Sequence, residues 1–194
     1  CARDCSTLEQ DLVLCEKAGF DYIEIRLDML TDYLKRHTVE ELAAFFCTSR
    51  LKPHAFNALY LYPEFLSEGD DEARQKELLE EFRLGCEVGR AIGSHYFIIV
   101  PPLQRDPAGG PYTGSWEDTF SNCVRILKEL SRRAEPYDMN LCFELVGFER
   151  SSVRSIGQAD AVVRAVDRPN VGFVFDSYNI FLNGGCNDFS AIGS

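Results

Sequence analysis

The sequence contains no Cys-x-x-Cys pair, although it holds eight cysteines, at positions 1, 5, 15, 47, 86, 123, 142 and 186. That spacing excludes the usual structural zinc motifs, and most of these residues fall inside apolar helix or strand patterns. They read as reduced thiols packing as small hydrophobes. Positive charge is scarce as well. Twenty Lys and Arg stand against 31 Asp and Glu, giving a formal net charge of -11 and a pI near 4.7. Binders of DNA or of anionic membranes concentrate cations against phosphate, so this balance disfavours both as partners. No apolar run approaches the roughly 20 residues of a membrane-spanning helix. The opening CARDCSTLEQ lacks the basic-then-apolar form of a signal peptide, and there is no Asn-x-Ser/Thr sequon. Together these absences point to a soluble, cytoplasmic protein. The Gly- and Pro-rich stretch at 103–115, LQRDPAGGPYTGS, lacks Gly-Lys-Ser/Thr, which excludes a nucleotide phosphate loop and leaves a flexible connection.

What remains is a regular alternation of helix and strand signals. With 194 residues and 45% hydrophobic content, the chain suits one sizeable core and a single domain spanning 1–194. Ser6 to Glu9 has the form of a capping box, followed by a stripe of Leu8, Leu12, Leu14 and Cys15 that closes near Gly19. Residues 21–26 alternate as a strand does, with Glu24 and Arg26 on one face and Ile23 and Ile25 on the other. An inward Glu beside an Arg reads first as an ion pair, while Arg26, nearer the strand end, is placed to reach a ligand. Thr38 and Glu41 form a second capping box, opening a helix that stops before Lys52-Pro53. The strand at 53–58 carries His54, read as a hydrogen-bonded core histidine with no metal role, and Asn57, a candidate substrate contact near its end. The loop at 60–69 holds three aromatics and suits either a lid or ordinary packing. A helix over 71–90 ended by Gly93, a strand over 96–102, a helix capped by Ser115 to Asp118 and a helix over 155–167 complete the pattern.

Two strands end in an acid. The apolar run at 141–146 is interrupted by Glu144, and the run Val171, Phe173, Val174, Phe175 ends in Asp176. Such near-continuous apolar runs mark strands covered on both faces of a parallel sheet. An ionised carboxylate there must pair with a cation, bind a metal or sit at the strand's open end. Taken singly, either acid reads first as a cap on the next helix or a partner for an Arg. Two on separate strands form half of a metal site. Five clear strands, plus a sixth whose last residues would be Cys1-Ala2-Arg3, recur about every 30 to 45 residues, as βα units do. A (β/α)8 TIM barrel needs about 250 residues. The expectation is an α/β barrel with about two βα units absent after Ser194 and a strand possibly cut at the start.

The segments LCEKAGFDYIEIR (14–26), LKPHAFNAL (51–59), FELVG (143–147) and VGFVFDS (171–177) resemble the xylose-isomerase-like TIM barrels, the sugar phosphate isomerases and epimerases. The resemblance covers residues 7–185, and within the superfamily it is nearest to the inosose isomerases of myo-inositol catabolism. It implies one divalent metal held by a Glu, an Asp, a His and a second Glu from four strand ends. Glu144 matches the first and Asp176 the second; the remaining His and Glu belong to later strands, beyond Ser194. It also implies that Glu144 is the catalytic acid/base, moving a proton next to a ketone polarised by the metal, with Asp176 holding the ion. Mn²⁺, Mg²⁺, Zn²⁺ or Co²⁺ suits such a ligand set. Asn179 stands where relatives often carry a substrate-contacting His; it keeps hydrogen-bonding capacity but cannot titrate near neutrality.

The expected function is therefore a metal-dependent isomerase or epimerase of a small keto-sugar or keto-cyclitol, with Arg26, Asn57 and Asn179 as substrate contacts. A dehydroshikimate-dehydratase-like lyase uses the same scaffold. The abasic-site endonucleases share the barrel too, but three histidines and the acidic charge argue against them. A degenerate, non-catalytic barrel acting as a binding module is the non-enzymatic alternative. An open sheet would leave unpaired edges and half-covered apolar faces, which predicts aggregation or a homodimer.

Overall fold

The computed structural model describes residues 5–61, 72–104, 110–184 and 189–192. Five strands lie parallel in one sheet, in sequence order: β1 (Tyr22–Arg26), β2 (Lys52–Tyr60), β3 (Tyr96–Val100), β4 (Asn140–Glu144) and β5 (Val171–Val174). Seven helices accompany them: α1 (Leu8–Ala18), α2 (Leu27–Tyr33), α3 (Val39–Thr48), α4 (Glu72–Ile92), α5 (Trp116–Ala134), α6 (Ile156–Val166) and α7 (Ser177–Leu182). Neighbouring strands are consecutive in the chain and each is reached through a helical connection, the arrangement that places the packed helices on one face of a barrel sheet. The described residues thus form the parallel βα array expected of a TIM barrel. Residues 1–4, the expected first strand among them, and the loop at 62–69 lie outside them.

Local chemistry sets most helix starts. The Thr38 hydroxyl accepts from the Glu41 N–H, and the Glu41 carboxylate accepts from the Thr38 N–H; Ser155 and Gln158 do the same for α6. For α1 the reciprocal pair is Thr7 with Gln10, one residue later than Ser6 and Glu9. The expected stripe on α1 also needs correction. Leu8 and Leu12 are buried, but Leu14 is 58% exposed beside an equally exposed Val13, because the helix turns that edge away from the sheet. The helix α2 has no sequence signal of its own, since its N-cap Arg26 makes no side-chain capping bond.

The sheet separates two apolar layers. On the helix side, Ile23, Ile25, Phe56, Phe97, Ile99, Leu141 and Phe143 pack with Leu42, Phe82, Leu127 and Val162 in one large core. The other side holds a small cluster of Ala55, Ala58, Ile98, Val100 and Val146. Close approach of α4 to the sheet depends on Gly89: a Cβ there would lie 2.5 Å from Met139 Cε and 3.0 Å from Phe56 Cε2. All six described cysteines are free thiols, as expected, but only part of them pack as core residues: Cys15 and Cys142 are half-buried, and Cys5 and Cys47 are exposed. Cys86 and Cys123 are buried free thiols that burial pushes up to about 12, so neither is ionised near neutral pH. No described helix is long and apolar enough to cross a membrane.

Candidate metal centre

Alternation along the strands puts Glu24, Arg26, Cys142 and Glu144 on the face opposite the helices, which is the inner face of a barrel. Glu144 is the last residue of β4, and Asp176 follows the end of β5 by two residues. The strands β4 and β5 are paired, with Glu144 opposite Val174, so both acids reach the same rim of the sheet. This is the carboxyl-terminal rim, where barrel enzymes carry their chemistry.

The two carboxylates share one neighbour. Asn179 Nδ2 donates to Glu144 Oε1 at 3.0 Å and to Asp176 Oδ2 at 3.3 Å. The other carboxylate oxygen of Asp176 accepts the Tyr178 N–H at 2.7 Å and caps α7. Asp176 therefore caps a helix and faces Glu144 at once, with a different oxygen for each. Neither carboxylate is salt-bridged to a Lys or Arg among the described residues. Burial, and then the negative charge of Asp176, push the Glu144 carboxyl up to about 7; the Asn179 hydrogen bond opposes this, and the Glu24 charge adds to it. Two half-buried acids that repel each other, neither paired to a described Lys or Arg, form a donor set that a divalent ion would relieve, so the residues fit the metal. They would supply two oxygen ligands; no cluster of three or more His, Cys, Asp or Glu suited to a metal occurs among the described residues.

Of the expected substrate contacts, Asn179 joins the two acids, while Arg26 and Asn57 lie on the far strands, opposite each other in the β1–β2 register. Asn57 Nδ2 donates to Glu24 Oε2 at 3.2 Å. Arg26 makes a two-pronged pair with Asp28, at 3.1 and 2.8 Å. His54, expected as a core residue, is instead exposed near the start of β2, where its ring lies between those of Tyr22 and Tyr96, 5.6 and 5.5 Å away. Two contributors escaped the sequence reading. Glu24, read as half of an ion pair, turns its carboxylate to Asn57 and its charge is felt by Glu144 and Cys142. Gly147, in the loop after β4, passes so close to α7 that it sets the position of Asn179.

Residues 12–192 match the family model described as xylose isomerase-like TIM barrel, and the chain belongs to that family. Similar curated proteins include the inosose isomerase of Bacillus velezensis, 39% identical over 180 residues, which covers 92% of this chain and 60% of that protein. That of Bacillus subtilis strain 168 is 36% identical over 190 residues, 95% of this chain and 64% of that one. This chain thus spans roughly three-fifths of the length of the relatives it matches. Among solved structures, the IolI protein with a bound zinc atom is similar at 38% identity and a TM-score of 0.80, over 92% of this chain and 61% of that one. A D-psicose 3-epimerase is 15% identical with a TM-score of 0.71, which shows the shared fold.

Proposed function

We propose that the full-length protein is a metal-dependent isomerase of a small keto-cyclitol, working as an inosose isomerase. The observation that carries the proposal is the convergence of Glu144 and Asp176, from the ends of adjacent strands, around a single amide, with neither paired to a Lys or Arg among the described residues. The inosose isomerases at 36 to 39% identity support the reaction class, and the zinc-containing relative supports a divalent ion.

In this reading Glu144 and Asp176 would hold a divalent ion, Mn²⁺, Mg²⁺, Zn²⁺ or Co²⁺, together with a His and a Glu from later strands. When bound, such an ion supplies Lewis acidity next to the substrate carbonyl. Glu144 also moves the proton on the carbon beside that carbonyl. Its carboxyl, raised to about 7, is suited to giving and taking a proton near neutrality. Asp176, tied to the α7 N-terminus, stays in place throughout. Arg26, Asn57 and Asn179 line the polar side of the site and contact substrate hydroxyls; the Arg26–Asp28 pair holds the guanidinium in one orientation.

The test is NMR of 2-keto-inositols in deuterated water with the full-length enzyme. Loss of the proton signal on the carbon next to the ketone is expected for the wild type and abolished in Glu144→Gln. No exchange with any keto-cyclitol or keto-sugar would refute the proposal.

A further inference from the structure

The amide of Asn179 has only one orientation that satisfies its surroundings. The backbone N–H of Gly147 points at it from 3.3 Å and can only donate, so it must meet the amide oxygen. That choice turns the NH2 group toward Glu144 Oε1 and Asp176 Oδ2. The side chain is 7% exposed, and all three of these bonds are inside the protein. Gly147 is itself held. Its carbonyl accepts from the Arg154 guanidinium at 3.3 and 3.4 Å, and a Cβ on it would overlap the Asn179 carbonyl oxygen and lie 2.8 Å from Leu182 Cβ. The exit of β4 and the first turn of α7 therefore lock together, with Asn179 as the link between them.

We infer that Asn179 is a positioning residue that holds the Glu144 and Asp176 carboxylates convergent before a cation arrives. This inference rests on the metal reading above and assigns to Asn179 a task distinct from contacting substrate. Two like charges left alone rotate apart, and bringing them back on metal binding then costs ordering and repulsion. A donor placed between them removes that cost in advance. Asp176 alone could be held by its capping bond to Tyr178, but Glu144 Oε1 accepts from Asn179 across 35 residues of sequence. Residues around a metal that orient its ligands typically change affinity about 10- to 100-fold when removed.

The experiment is calorimetric titration of Zn²⁺ and Co²⁺ into the metal-stripped full-length protein, wild type against Asn179→Leu, which keeps the side chain's size without the donor. Asn179→Ser, too short to reach both carboxylates, is the second variant, and circular dichroism checks that each is folded. The expected result is affinity about 10- to 100-fold weaker in both variants, together with a changed Co²⁺ absorption spectrum, a readout that general loss of packing at a distant point would not move. Affinity unchanged or tighter, with the wild-type Co²⁺ spectrum, overturns the inference while leaving the metal site standing. If neither variant folds, Asn179 is a structural residue and the inference falls. A wild type that binds neither ion fails at the earlier step, and the metal reading fails with it.

Discussion

Glu144 carries the largest load for one side chain, and its surroundings make a pH prediction with a definite sign. Its carboxyl is raised from an ordinary 4.5 to about 7 by burial and by Asp176, so the folded chain binds this proton more tightly than the unfolded chain does. Stability then falls as pH rises from about 4.5 to about 7, because ionising Glu144 is harder in the fold than in the coil. In the metal-stripped full-length protein, the wild-type melting temperature should drop across that window more steeply than that of Glu144→Gln. Parallel curves for the two proteins would contradict the burial argument. Asn179 was legible in the sequence as a candidate substrate contact, through the resemblance, but not as a link between the two acids. Its partners lie 32 and 35 residues away, and no local pattern encodes bonds of that length.

Within single elements, helix caps and stops are legible in the sequence. Thr38 with Glu41, Ser115 with Asp118 and the stop of α4 at Gly93 are signals contained within one turn of chain, and the structure repeats them. The short helices α2 and α7 are not legible in the sequence because α2 begins directly where β1 ends and α7 only two residues after β5, and each is too short to show a helical stripe. Two positions test how elements are tied together. Asn170, in the turn before β5, donates from its amide to the Ser131 and Met139 carbonyls at 3.1 and 3.3 Å, and its Oδ1 accepts from the Ser131 hydroxyl at 2.6 Å. Asn170→Ala should cost about 1 to 3 kcal/mol in urea unfolding, since it strands polar groups at the end of α5 and the start of β4. A change within a few tenths would show that water replaces these bonds. Gly147→Ala should cost about 1 to 3 kcal/mol by overpacking against α7. It should also weaken metal binding, because the first turn of α7 carries Asn179; destabilisation with wild-type metal affinity would break that link.

For the molecule as a whole, the parallel pairing and order of the strands follow from the recurrence of βα units, which is why the barrel was evident before any coordinate. Its closure was not, since β1 and β5 are the outer strands of the described sheet. Large apolar side chains are exposed nearby, among them Tyr22, Tyr96 and Phe175 on or next to the strands and Phe20 just before β1. Expressed as these 194 residues alone, the chain should self-associate through such edges and faces, with light scattering after gel filtration giving a mass at least twice 22.0 kDa. A monodisperse monomer would mean that the open sheet protects itself by means not visible in the described residues. The formal charge of -11 disfavours a polyanionic partner, in line with the small-molecule substrate proposed above.

The central claim is that Glu144 and Asp176 hold one divalent ion between them. Anomalous diffraction from crystals of the full-length protein soaked in Mn²⁺ tests it most directly. The account predicts one strong peak at about 2.0 to 2.6 Å from a carboxylate oxygen of each residue, lost in Glu144→Gln. A peak elsewhere, or none at saturating Mn²⁺ with the two side chains turned apart, would contradict it.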